Sequence, residues 1–118
     1  MEPAILVVES EGVLMHVLSL LKESLHLQLH SARDALQAIT LVQRHTYETL
    51  VIDGGLAYID GWALLRYLED NVQQLSPIIV RPEPDAQIEF AREFAGRVEC
   101  VPLSDLRQAV ENRLSSGA

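Results

Sequence analysis

The sequence predicts an α/β domain in which five helices cover both faces of a parallel sheet of five strands. Short apolar runs alternate five times with amphipathic stretches of helical spacing. Most of these runs are continuous and rich in β-branched residues, which is typical of parallel strands buried on both faces. The run at residues 25–30 instead alternates apolar and polar residues, and we expect it at an edge of the sheet.

The first strand and helix are predicted within residues 4–25. The strand is the apolar run Ala4–Val8, and Ser10 is a candidate N-cap for the helix that follows. Helical spacing predicts a buried face made of Val13, Val17, Leu20, Leu21 and Ser24, widened by Leu14, Leu18 and Leu25.

The second helix follows the alternating strand. Ser31 is its candidate N-cap, and the third strand is predicted at Thr49–Asp53. The face of this helix that we expect to be buried carries Ala32, Ala35, Leu36, Ile39 and Val42.

The second half of the chain continues the alternation. A third helix is predicted at 61–71, a strand at 78–80 after Pro77, a fourth helix at 85–95 and a short strand at 98–101. Ser104 is the candidate cap of a last helix, which buries Leu106, Val110 and Leu114. Residues 1–114 are expected to form one domain, and residues 115–118 a tail or the start of a linker.

Right-handed crossovers on such a sheet favour the strand order 2-1-3-4-5, a flavodoxin-like three-layer sandwich with the alternating strand at an edge. The first and third strands then flank the switch point, so Glu9 and Asp53 should meet in one cleft. The simpler interpretation of Asp53 is a turn cap, because Asp often precedes Gly in turns.

Composition narrows the classes of function. Nine Lys and Arg against seventeen Asp and Glu give a net charge of −8, which argues against a binder of nucleic-acid backbones. Cys100 is the single cysteine, so the sequence predicts a reducing compartment and no disulfide framework. No apolar run reaches transmembrane length, and the Met-Glu-Pro start lacks the basic region of a signal peptide; we expect a cytoplasmic protein.

Ligand motifs are scarce. Gly54-Gly55 follows a strand but lacks the spacing of dinucleotide or phosphate loops. His26 and His30 share one face of the predicted second strand, but two histidines without a third ligand do not predict a metal site. His45 is interpreted as a favourable charge at a helix end.

From Ile5 to about Leu114 the chain resembles the receiver domains of two-component response regulators, the CheY-like family. That family's first strand ends in two or three acids, as in Val8-Glu9-Ser10-Glu11, and its third strand ends in the phospho-accepting Asp, matched by Asp53. The family's following Asp-Gly and fourth strand match Asp60-Gly61 and Pro77-Ile78-Ile79-Val80. The resemblance implies a CheY-like fold, phosphorylation of Asp53, and a Mg²⁺ site at Glu9, Asp53 and Gly55.

Four positions depart from the family's pattern. Ser10 stands where the second metal-binding acid is expected, and Pro82 stands where a Thr or Ser ends the fourth strand. Val101 replaces the lysine that precedes a proline, and Val98 replaces the switching aromatic. Because these groups stabilise phosphoryl transfer, their loss predicts a degenerate receiver, or pseudo-receiver, with a weak Mg²⁺ site.

Arg81 is a candidate cation at the mouth of the same cleft. Its guanidinium could pair with Asp53 or Glu9 and hold the pocket in one state without phosphate. The alternative is an arginine that faces solvent at the end of a strand.

Three functions remain open at this point. The first is a signalling module that acts through protein contacts with weak or no phosphorylation; the second is a conventional Mg²⁺-dependent receiver phosphorylated on Asp53; the third is a flavodoxin-like binder of a small molecule. We favour the first, with no enzymatic activity beyond residual self-phosphorylation and dephosphorylation.

The expected partner is a histidine kinase or an output protein, with no nucleic acid or membrane bound by this domain. The resemblance also leaves open a homodimer through the fourth helix, fifth strand and fifth helix. That surface would include Phe90, Phe94, Leu106 and Val110, although the core also needs most of these residues.

Overall fold

A computed structural model describes residues 3–54, 77–80 and 99–116 of the chain. The strands are β1 (Ala4–Val8), β2 (Gln28–Ala32), β3 (Thr49–Asp53), β4 (Ile78–Val80) and β5 (Glu99–Val101). The helices are α1 (Val13–Leu25), α2 (Ala35–Arg44) and α3 (Leu106–Ser116), and a 3₁₀ turn at Leu103–Asp105 precedes α3. The helices predicted at 61–71 and 85–95 lie outside the described residues.

The five strands form one parallel sheet in the order β2-β1-β3-β4-β5. This confirms the predicted order and the edge position of the second strand. Since all strands run the same way, their carboxyl ends share one edge of the sheet, which is where open α/β folds place their sites.

Side chains alternate between the two faces of the sheet, and each face carries its own apolar core. On one face, strand residues such as Val7 and Val51 pack with Leu18 of α1 and Leu106 of α3. On the other face, strand residues such as Leu6 and Ile52 lie in a cluster with residues of α2 and with Tyr47. The sheet is therefore the middle layer of a three-layer sandwich, as predicted.

The buried face of α1 differs from the prediction. Leu14, Leu18 and Leu21 are buried, whereas Val13 is 47% and Leu20 is 68% exposed. Apolar residues occupy most of the circumference of this helix, so their periodicity alone does not select the face that packs.

The boundary between α1 and β2 also differs. The helix continues through Leu25 and ends at His26, whose N–H donates to the carbonyl of Lys22. The left-handed backbone of His26 (φ 52°) also brings the N–H of Leu27 to the same carbonyl, at 3.0 Å. The strand then begins at Gln28 rather than at Leu25. Leu25 and Leu27 both pack in the core, one from the helix end and one from the turn, and together they imitate the alternation of a strand.

The cap of α2 is Asp34, not Ser31, which lies within β2. The Asp34 carboxylate accepts the N–H of Gln37, and the Gln37 side chain accepts the N–H of Arg33, a reciprocal capping arrangement. The helix therefore begins later than predicted. Its buried residues are Ala35 and Ala38, while Leu36 is 76% exposed.

The C-terminal elements follow the prediction more closely. β5 begins at Glu99, and α3 buries Leu106 and Val110 as expected. Ser104 lies inside the 3₁₀ turn, so it does not directly precede the helix. Within the described ranges, none of the helices combines the length and the apolar character needed to span a bilayer.

Two leucines of α1 give a matched test of this packing. Leu18 is fully buried and Leu20 is mostly exposed on the same helix. We expect Leu18→Ala to lower the free energy of unfolding by about 2–5 kcal/mol, because it leaves a cavity in the core. Leu20→Ala should change it by less than about 0.5 kcal/mol. Urea denaturation measures both, and equal losses would contradict the orientation of α1.

Candidate functional site

The candidate site lies where β1 and β3 end, at the carboxyl edge of the sheet. Val8 of β1 is paired with Ile52 of β3, so the next residues, Glu9 and Asp53, lie side by side on strands spaced about 5 Å apart. The strand order reverses at this point, because β2 lies beyond β1 and β4 lies beyond β3. The two carboxylates are thus at the switch point, as the sequence predicts.

Glu9 is almost completely buried, with 5% of its surface exposed, and it makes two short hydrogen bonds. Its Oε1 accepts the N–H of Leu14 and its Oε2 accepts the N–H of Met15, both at 2.7 Å. These donors belong to the first turn of α1, where N–H groups lack partners within the helix and the helix dipole favours an anion. The carboxylate therefore caps α1 from the end of β1.

The backbone around Glu9 supports this role. Its own N–H donates to the carbonyl of Ala32 at 3.0 Å, which extends the pairing of β1 with β2 by one residue. Gly12 then reverses the chain with a φ of 86°, a conformation that side chains rarely adopt. No atom lies within 4 Å of the place where a Cβ would be, so the backbone angle, rather than space, requires glycine.

The other polar residues of this turn point away from the interior. Ser10 and Glu11 are both exposed. Ser10 is not the N-cap that the sequence suggests, because Gly12 occupies that position and Glu9 supplies the carboxylate. Sequence reasoning missed this role of Glu9; the available signal was an acid three residues before a glycine that opens a helix.

Asp53 is the last residue of β3 and is half-buried, opposite Val80 of β4. Val101 ends β5 beside Val80 and is 8% exposed, so the position matched to the family's lysine carries a buried apolar side chain. The remaining residues assigned to the site lie outside the described ranges: Gly55, Arg81, Pro82 and Val98.

Few functional groups are available at this edge of the sheet among the described residues. Asp53 offers a carboxylate that could act as a nucleophile or a ligand, Glu9 offers a carboxylate already held by α1, and Ser10 offers a neutral hydroxyl. Nowhere in residues 3–54, 77–80 and 99–116 do three or more His, Cys, Asp or Glu side chains form a group able to hold a metal ion.

A scan against protein-family models finds no match for this sequence, and a search of curated proteins finds none either. Solved structures do match over nearly the whole chain. The signal receiver domain of an HD domain-containing protein from Pseudomonas fluorescens is 27% identical, with a TM-score of 0.73; the match covers 98% of this chain and 91% of that one.

Two further receiver domains show the same fold at lower identity. The non-phosphorylated receiver domain of the stress response regulator RcsB from Escherichia coli is 17% identical, with a TM-score of 0.77 and coverage of 99% and 95%. The receiver domain of a sensor histidine kinase from Pseudomonas aeruginosa, which has magnesium in its active site cleft, is 19% identical, with a TM-score of 0.74 and coverage of 98% and 99%.

The cap formed by Glu9 has a direct test. Glu9→Ala leaves two N–H groups of α1 without their acceptor, and we expect it to lower the free energy of unfolding by about 1–3 kcal/mol. Glu11→Ala is the matched control, since this exposed acid lies two residues away, and it should change stability by less than about 0.5 kcal/mol. Chemical denaturation measures both variants; a loss at Glu11 as large as that at Glu9 would disprove the cap.

Proposed function

We propose that this chain, a receiver domain of the two-component signalling type, is an atypical receiver that acts through protein contacts, with weak or no phosphorylation of Asp53. The observation that carries the proposal is that both carboxylate oxygens of Glu9 are already engaged in hydrogen bonds. In the family this acid helps to hold a divalent cation, whereas here both of its oxygens accept backbone N–H groups of α1.

The rest of the donor set supports the same conclusion. Mg²⁺ binds hard oxygen ligands, most strongly carboxylates, in a near-octahedral arrangement. The position beside Glu9 is Ser10, whose hydroxyl is neutral and whose side chain is exposed. Asp53 is the remaining carboxylate of the matched set, and with Ser10 in place of the second acid this set predicts weak binding of Mg²⁺.

The groups that would contact a phosphoryl oxygen are also altered. By resemblance, Pro82 replaces a hydroxyl and Val101 replaces the lysine, and Val101 is packed in the sheet rather than directed at a charge. Val98 replaces the aromatic residue that responds to phosphorylation. Losing such groups costs several kcal/mol of transition-state stabilisation in comparable sites, roughly 3–4 for a single donor.

We infer that the partner is a protein, either a histidine kinase or an output protein, and that the domain works in the cytoplasm without acting on a separate substrate. The homodimer that the resemblance left open stays a proposal, and Phe90 and Phe94 of its surface lie outside the described residues. Leu106 and Val110 are completely buried beneath α3, so they stabilise the domain and are not available for contact with a second copy.

The alternative is a conventional receiver phosphorylated on Asp53. It is supported by the register of the sheet, which places Asp53 beside Glu9 at the switch point. The two proposals differ in how strongly the site binds Mg²⁺.

An amide NMR titration with Mg²⁺, followed by beryllofluoride as a mimic of the phosphoryl group, distinguishes them. We expect no saturable shift at Glu9, Asp53 or Gly54 in the millimolar range of Mg²⁺, and no response to beryllofluoride. Ser10→Asp supplies the missing acid, and it should strengthen Mg²⁺ binding by on the order of tenfold because the ligand set gains a charge.

Asp53→Asn is the negative control, since it removes the carboxylate that any phosphoryl mimic must join. Saturable shifts in the wild-type protein that spread to β5 and vanish in Asp53→Asn would contradict the proposal. They would establish the conventional phosphorylation switch instead.

A further inference from the structure

The strand β2 lies at one end of the sheet, and among the described strands it pairs with β1 alone. The N–H of Gln28 donates to the carbonyl of Pro3 at 2.9 Å, and the carbonyl of Ala32 accepts the N–H of Glu9 at 3.0 Å. Backbone groups point to alternate sides of a strand from one residue to the next. Gln28, His30 and Ala32 therefore direct their backbone N–H and C=O groups toward β1.

The residues between them, Leu29 and Ser31, direct their N–H and C=O groups away from β1, to the outer edge of the sheet. The next outward N–H on either side is already bonded within the chain. That of Leu27 donates to a carbonyl of α1 at 3.0 Å, and that of Arg33 donates to the side-chain oxygen of Gln37 at 2.8 Å. Two donors and two acceptors thus face outward between two capped positions.

These outward groups are complementary to those of a second copy. When two β2 strands lie antiparallel about a two-fold axis at His30, Leu29 of each copy lies opposite Ser31 of the other. Residues opposed in this way exchange two N–H···O bonds, so all the outward groups of Leu29 and Ser31 are satisfied. An axis at either neighbouring residue would instead oppose one of them to a position whose N–H is already used.

The side chains of β2 do not oppose such pairing. Exposed strand edges usually carry charged residues or proline, which prevent association, whereas Gln28–Ala32 contains neither. In the same register the exposed acid Asp34 of each copy lies level with the exposed base His26 of the other. This placement matters because two chains that each carry a net charge of −8 repel where their acids meet.

The middle of β2 is held in place by aromatic contacts. Nδ1 of His30 lies 2.8 Å from the hydroxyl of Tyr47, a residue that is 4% exposed. The ring of His30 also meets the ring of His45 edge to face, with ring centres 5.1 Å apart. A strand whose conformation is fixed before association loses little further freedom when it pairs.

We propose that the partner of this edge is a second copy of the chain, which joins two five-stranded sheets into one through antiparallel β2 strands. β1 separates β2 from β3, so the pairing does not involve the carboxylate of Asp53. The inference is independent of the function proposed for Asp53. It also uses the opposite end of the sheet from the β5 surface that the resemblance left open for a homodimer.

Amide hydrogen exchange of the full chain, followed by NMR at a low and a high protein concentration, tests the pairing without any variant. We expect the N–H groups of Leu29 and Ser31 to exchange about tenfold more slowly at the high concentration, because they gain hydrogen bonds only in the pair. The N–H groups of Gln28 and His30 are the internal control. They are already bonded to β1, so their exchange should depend much less on concentration.

Ser31→Lys places a charge on the edge, and we expect it to weaken dimerisation at least about tenfold. Ser31 is exposed, so the variant should fold, which circular dichroism verifies. Ser115→Lys is the matched control, since it makes the same change at an exposed position of α3. Sedimentation equilibrium measures all three proteins, and this control should dimerise like the wild-type protein.

Three results would overturn the proposal. The first is a wild-type protein that stays monomeric at the highest concentration used for NMR. The second is dimerisation of Ser31→Lys with the affinity of the wild-type protein, which would place the interface elsewhere. The third is exchange at Leu29 and Ser31 that does not depend on concentration.

Discussion

The burial of the sheet on both faces is the constraint on which the rest of this structure depends. Strand residues such as Leu6, Val7, Val51 and Ile52 are completely inaccessible to solvent. A side chain with a charge or a hydrogen-bonding role has no place within such strands unless it is fully paired. Polar chemistry is therefore displaced to the ends of the strands, and the carboxyl edge receives Glu9 and Asp53.

The same constraint explains which parts of the fold were predictable. The β1, β3 and β4 runs are continuous and apolar, so their place inside a parallel sheet follows from composition alone. The order of the strands follows from the alternation of elements and the handedness of crossovers. The first residues of the helices were harder to predict. Ser10 and Ser31 are reasonable caps by residue type, but the chain uses Glu9 and Asp34 instead.

Some features of the candidate site were likewise predictable from the sequence, and others were not. The sequence predicts that Glu9 and Asp53 lie next to each other, because this requires only the ends of two strands and the order of the strands. The capping bonds of Glu9 could not be predicted from the sequence, because they depend on the reversal of the chain at Gly12 and on which face of α1 packs against the sheet. The approach of His45 to His30 was equally hidden, because the two residues are distant in the sequence and meet through the packing of α2.

The turn between β1 and α1 has a consequence for how this chain can diverge. Glu9 is constrained by its hydrogen bonds to α1, and Gly12 is constrained by its positive φ. A substitution at either position therefore destabilises the start of α1. Ser10 and Glu11 lie on the solvent side of the same turn, and neither constraint applies to them. Substitutions at these two positions should therefore leave folding intact, so the charge that this turn presents to solvent can change while the fold is retained.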